Sequence, residues 1–169
     1  PHEAGTGPLR RGDPSVIDVF PRIDATGYHG DVTRTVVKGV PRGRVREAFA
    51  AVRRARAAAI AAVRPGVAAA NVHRVAAETL AAAGFETDTA ASPPTGFIHG
   101  TGHGLGLDIH EQPRLAETAE GELQEGDVVT VEPGLYDPEW GGMRLEDVVV
   151  VTAHGCENLT DIETVLTIP

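Results

Sequence analysis

From Gly100 to Gly106 every second residue of the chain is glycine, and His99, His103 and His110 are set in or beside this run. His99 and His103 have the i, i+4 spacing of two zinc ligands on one helix face. A helix through Gly100, Gly102, Gly104 and Gly106 would lose roughly 1 kcal/mol per glycine relative to alanine. Extended backbone is expected instead, packed tightly against a ligand or another strand. Three imidazoles among such glycines are candidates for ligation or catalysis. Singly, each reads more readily as an ordinary core histidine, and it is the clustering among glycines that favours the functional reading.

Carboxylates inside apolar strands give a second constraint, because a lone buried carboxylate is expensive. Asp18 lies in Val16-Ile17-Asp18-Val19-Phe20, read as a short buried strand after the turn Gly12-Asp13-Pro14. Alternation puts Val16, Asp18 and Phe20 on one side and Ile17 and Val19 on the other. Asp31 opens Asp31-Val32-Thr33-Arg34-Thr35 and shares a face with Thr33 and Thr35. If these two strands form a hairpin, Asp18 and Asp31 sit together and repel unless protonated or bridged by a cation. Glu132 ends Val128-Val129-Thr130-Val131, and Glu146 follows Met143-Arg144-Leu145. Taken singly, Asp18 could cap a turn, Glu132 could be solvated, and Arg144 with Glu146 could be a surface pair worth little.

Around these residues the chain reads as strands, two helices, then more strands. The expected strands are 16–20, 28–38, 128–132, 143–152 and 163–168. The expected helices run from Arg44 to Val63 and from an N-cap at Asn71 to Ala83, closed by Gly84. That order indicates an α+β domain. Arg42, Arg44, Arg46, Arg53, Arg54 and Arg56 read as a solvated helix face. The net charge is −9 in 169 residues, which argues against a nucleic-acid partner. Residues 1–104 carry 13 basic and 9 acidic groups and residues 105–169 carry 2 and 15, expected as solvated faces of opposite sign. No apolar run reaches membrane-spanning length. The single Cys156 excludes an internal disulfide framework and fits a cytoplasmic, reducing compartment.

Asp18, Asp31, His103, Glu132 and Glu146 together resemble the two-metal site of the pita-bread metallopeptidases, which include proline-specific aminopeptidases, prolidases and methionine aminopeptidases. The match runs through Val16-Ile17-Asp18, Gly27-Tyr28-His29-Gly30-Asp31-Val32-Thr33-Arg34-Thr35 and His99 to Glu111. It continues in Thr130-Val131-Glu132-Pro133-Gly134-Leu135-Tyr136 and Met143-Arg144-Leu145-Glu146-Asp147. The resemblance implies a pita-bread (creatinase/aminopeptidase-like) fold, with residues 1–169 as one catalytic domain lacking the N-terminal part of its first half. It also implies that Asp18 chelates one ion, Asp31 and Glu146 bridge both, and His103 and Glu132 complete the other. Such an oxygen-rich donor set suits Mn²⁺, with Co²⁺, Fe²⁺ or Zn²⁺ as alternatives. A water shared by two ions is the implied nucleophile, and Glu132 the implied proton carrier. By the same resemblance His110 and His2 contact substrate and steady the tetrahedral intermediate, Arg144 lies near substrate, and His99 lines the pocket.

The wording around His103 and His110 resembles the proline-specific branch, whose pocket accepts a tertiary amide without an N–H donor. The implied activity is hydrolysis of Xaa-Pro peptide bonds, as an aminopeptidase or a dipeptidase. A methionine aminopeptidase, a non-catalytic relative kept as a binding module, and a metal-independent amidinohydrolase are the competing readings. The complete ligand set weighs against the last two. Between Asp18 and Asp31 the loop is about two residues longer than the common family version, which leaves Asp24 as an alternative to Asp18. The family domain has two similar halves, so a missing segment or a second chain is an expected partner beside the peptide substrate. Homo-oligomers are possible, and the chain alone is expected to have low activity.

Overall fold

The computed structural model describes residues 5–169, so His2 lies outside the described residues. The elements are β1 (Pro14–Val19), β2 (Val32–Lys38), α1 (Val45–Ala62), α2 (Ala69–Ala82), β3 (Gly102–Gly104), β4 (Glu111–Leu115), β5 (Val128–Val131), β6 (Gly134–Asp137), β7 (Gly141–Arg144), β8 (Asp147–Thr152), β9 (Gly155–Asn158) and β10 (Thr167–Ile168). They form a three-stranded sheet β1-β2-β10, a five-stranded sheet β4-β3-β5-β8-β9 and the hairpin β6-β7. This is an α+β arrangement.

Helix α1 follows from its alanine content and its apolar spacing. Val45, Ala48, Phe49, Val52, Ala55 and Ala59 recur every three or four residues and are buried. Helix α2 buries Ala69, Val72, Ala76 and Leu80 in the same way. The small alanine side chains let the two helices lie close together against the sheets. Leu115, Leu123, Leu135 and Leu145 join them in one core, each fully buried side chain contributing roughly 1.5–3 kcal/mol. Val63 ends α1 in extended backbone, and Gly66 turns the chain at φ +75°.

Helix α2 begins at Ala69, two residues before the Asn71 cap expected from sequence. The Ala69 N–H donates to the carbonyl of Gly121, and Leu123 pairs with Val67, so a neighbouring segment does the work of a capping side chain. Asn71 instead accepts a hydrogen bond from Arg74.

Four strands also differ from expectation, and the last of them shrinks from 163–168 to Thr167–Ile168. β1 is an edge strand rather than a buried one. Val16, Ile17, Val19 and Phe20 are 37–58% exposed, because β2 is the one strand paired with it among the described residues. The second strand starts at Val32 instead of Tyr28, since residues 28–30 are held elsewhere: the N–H of His29 donates to Gly106 O. The long strand expected over 143–152 is two strands, β7 and β8, broken at Leu145-Glu146. There the Glu146 N–H donates to Thr33 O and the Arg144 N–H to the Thr35 hydroxyl, so β2 draws the backbone out of a continuous ladder.

The charges pair across the chain more than expected. Asp147 is buried and accepts from both Arg34 at 2.8 Å and Arg56 at 3.3 Å. Arg56 is therefore not part of a solvated helix face, although Arg42, Arg44, Arg46, Arg53 and Arg54 are exposed. No described helix is long and apolar enough to cross a membrane.

Candidate metal centre

The glycine run is β3 and its flanks, and close backbone approach explains its composition. A Cβ on Gly102 would lie 1.9 Å from Thr130 O, and one on Gly104 would lie 2.2 Å from Gln112 O. Only hydrogen fits between β3 and its neighbours β5 and β4. His103 is thereby set on an extended strand, and the helical zinc pair with His99 does not form.

Three other elements bring carboxylates to His103. Asp18 lies near the end of β1, opposite Thr33 in the β1-β2 register, and Asp31 immediately precedes β2. Glu132 follows β5, its N–H donating to Thr101 O at 2.7 Å. Glu146 sits in the break between β7 and β8 and is 2% exposed. Donor atoms of Asp31, His103 and Glu146 lie within 4.8 Å of one another. His103 Nε2 is 3.3 Å from Glu132 Oε1 and 3.8 Å from Asp31 Oδ2. The carboxylate of Asp18 receives Arg144 Nη2 on Oδ2, while its buried Oδ1 has no partner among the described residues. All five side chains line one cleft of about 920 Å³. Asp24 is exposed in a turn and does not line it.

The electrostatics of this cluster are those of a site built for cations. Burial, with Glu132, Asp31 and Asp18 close by, pushes the Glu146 carboxyl up to about 9. Burial and the charge of Asp18 likewise raise Asp31 to about 6. Burial acts to lower His103, but the hydrogen bond and charge of Glu132 overcome it and raise the imidazole. Burial acts to raise Glu132, and the His103 contact outweighs it, leaving Glu132 lowered. His103 Nδ1 lies 3.0 Å from the Gly104 carbonyl, which accepts only if that nitrogen carries the proton. Without a metal Nε2 shares a proton with Glu132; in the neutral ring its lone pair faces the carboxylates, as in a metal-ligating histidine. The unpartnered Asp18 Oδ1, the four carboxylates and the turned imidazole fit divalent ions well.

The remaining expected residues line the same cleft. His110 packs edge-on against His103 with ring centroids 4.4 Å apart. His99 contacts the Gly100 carbonyl through Nδ1 at 2.7 Å and the Tyr136 hydroxyl through Nε2 at 3.1 Å. Its imidazole is lowered, chiefly by burial. Arg144 is 8% exposed and directs its donors to Asp18, to Tyr136 at 3.1 Å and to Thr33 at 3.2 Å. The surface-pair reading of Arg144 with Glu146 therefore does not hold.

Sequence reasoning passed over Tyr136, which joins His99 to Arg144, and Thr33, which donates to Glu146. Both lie in the segments that carried the resemblance, but nothing local distinguishes them from neighbouring residues. It also passed over Arg114, exposed at the cleft.

The profile of metallopeptidase family M24 matches residues 1–153. The Xaa-Pro dipeptidase of Pyrococcus furiosus is 39% identical over 155 residues, covering 92% of this chain and 42% of the relative. The structure of the prolidase from Pyrococcus horikoshii OT3 superposes with a TM-score of 0.86 at 36% identity, over 96% of this chain and 44% of that one. The X-Pro aminopeptidase from Thermotoga maritima gives a TM-score of 0.81 at 33% identity, over 94% and 42%. The chain thus spans about two fifths of the length of the relatives it matches.

Proposed function

The chain belongs to metallopeptidase family M24, and we propose that its cleft hydrolyses peptide bonds, Xaa-Pro bonds in particular, with two divalent ions. The observation that carries this reading is the convergence of four buried or half-buried carboxylates on His103, with Glu146 pushed up to about 9 in the absence of a cation. Like charges this close ionise together only when cations neutralise them. Asp18 is assigned to one ion, Asp31 and Glu146 to both, and His103 and Glu132 to the other. When bound, such ions supply Lewis-acid polarisation and a nucleophilic water at neutral pH.

The side chains divide the remaining work. Glu132 Oε1, in contact with His103, is the proposed acceptor of the proton released by the attacking water, to be passed to the leaving nitrogen. His110, beside His103, is assigned to the substrate carbonyl and its tetrahedral intermediate, together with His2. His99, its imidazole held neutral by burial, lines the pocket for substrate. Arg144 holds Asp18 in place on the substrate side of the cleft. Arg114 puts a cation beside the cleft, which suits the free carboxylate of a dipeptide and favours dipeptidase over aminopeptidase action. We assign Mn²⁺ as the ion, from the oxygen-rich donor set, and the cytoplasm as the compartment, from the single cysteine.

The test is metal content and substrate choice in the protein. Two equivalents of Mn²⁺ retained, and lost on Glu146→Gln, are expected, with Xaa-Pro dipeptides cleaved in preference to longer Xaa-Pro peptides and Met peptides. A protein that retains no divalent ion at neutral pH overturns the reading. Hydrolysis of Met peptides alone overturns the substrate assignment.

A further inference from the structure

We infer that Thr33 is a positioning residue that fixes the Glu146 carboxylate for metal binding, an inference that rests on the two-ion reading above. Thr33 is fully buried in β2 and grips Glu146 twice: its carbonyl accepts the Glu146 N–H at 3.0 Å, and its Oγ1 donates to Glu146 Oε2 at 2.7 Å. The same hydroxyl accepts from Arg144 Nε at 3.2 Å. A guanidinium can only donate and a threonine hydroxyl has one proton, so the direction of the chain is fixed: Arg144 to Thr33 to Glu146. Arg144 in turn donates to Asp18. One hydroxyl therefore ties the carboxylates at the two ends of the cluster to a single cation, and each hydrogen bond in such a chain polarises the next.

The placement is needed because Glu146 lies in no strand. It occupies the break between β7 and β8, where no sheet ladder fixes its backbone, and a donor atom of it must stay within 4.8 Å of those of Asp31 and His103. Thr33, set by the β1-β2 register directly opposite Asp18, supplies both a backbone and a side-chain anchor there. A carboxylate oxygen can accept this hydrogen bond and still offer a lone pair to a cation.

The test is Mn²⁺ titration of the metal-free protein, read from the electron paramagnetic resonance of free Mn²⁺, for the parent, T33V and T33S. T33V keeps the shape and loses the hydroxyl. It is expected to weaken uptake of at least one ion by about 10–100-fold, the usual effect of removing a hydrogen-bond partner of a metal ligand. T33S restores the donor and is expected to titrate close to the parent. If T33V does not fold, T33C, with a weak donor in the same place, carries the test and is expected to fall between parent and full loss. T33V or T33C that melts lower but binds Mn²⁺ like the parent overturns the inference and leaves the two-ion reading standing. A parent that takes up no Mn²⁺ overturns both.

Discussion

Glu146 is 2% exposed among other carboxylates, and its behaviour with and without a cation is opposite in sign. Its carboxyl is raised from 4.5 to about 9, so at pH 8 the metal-free folded state holds a proton that the unfolded chain releases. Folding must then take up that proton from solution, which costs stability at this pH. Glutamine has the same shape, is always neutral, and can still accept from Thr33. Glu146→Gln is therefore expected to melt at or above the parent at pH 8 without metal, with the gap closing as pH falls toward 4.5. In the same variant the stabilisation given by Mn²⁺ is expected to disappear. Differential scanning fluorimetry with and without Mn²⁺ reads both effects, and a metal-free variant melting far below the parent at pH 8 would contradict this picture of the site. Arg144 shows the complementary case. Its guanidinium is one cation answering Asp18, Tyr136, Thr33 and Glu132, so truncating it leaves the half-buried Asp18 without its cationic partner.

At the scale of elements, the site depends on how closely strands can approach. Gly102 of β3 is pressed against β5, where an added methyl would meet Thr130 O at 1.9 Å, whereas a methyl on Gly155 meets nothing within 4 Å. G102A is expected to cost about 1–3 kcal/mol or more by overpacking, and to displace His103 so that Mn²⁺ uptake falls with the melting temperature. G155A is expected to leave both unchanged; thermal melts and Mn²⁺ titration of the pair check this, and equal behaviour would sink the packing account. The crowding itself was readable in the alternating glycines, as were the helices in their alanine-rich periodic stretches. The carboxylates stood out because they interrupt apolar strands. What was hidden is set by partners far away in sequence. The Thr33–Glu146 hydrogen bond spans 113 residues, and the bonds from the Glu146 N–H to Thr33 O and from the Arg144 N–H to the Thr35 hydroxyl, as distant in sequence or nearly so, split the strand expected over 143–152. Likewise the apolar run at Val16–Phe20 has the composition of a buried strand, yet exposure depends on whether a second neighbour pairs with it, which composition does not encode.

For the whole molecule, the separation of charge along the chain is partly resolved by folding, since Arg34 and Arg56 from the basic part close on Asp147 from the acidic part. Most other acidic groups of residues 105–169 are exposed, while the cleft gathers Glu132 and Glu146 with Asp18 and Asp31 from the basic part. Burial and Asp18 raise Asp31 from 3.8 to about 6, and burial with its carboxylate neighbours raises Glu146 to about 9. Both folded values lie above the unfolded ones, so the metal-free folded state binds more protons than the unfolded chain. Its stability falls as pH rises, between 3.8 and about 6 on account of Asp31 and between 4.5 and about 9 on account of Glu146. Cations that take the place of these protons reverse the trend, since ligation needs the ionised forms and binding releases the protons. The melting temperature without metal is therefore expected to decline from pH 6 to pH 9, and the increment given by saturating Mn²⁺ to grow over the same range. Calorimetric Mn²⁺ titrations in two buffers of different ionisation enthalpy are expected to show more protons released per protein at pH 6, where Asp31 and Glu146 both contribute, than at pH 7.5, where Glu146 dominates. Proton release that is zero at both pH values would mean that the carboxylates are ionised before any cation arrives, and the cleft would then have to balance its charge by some other means.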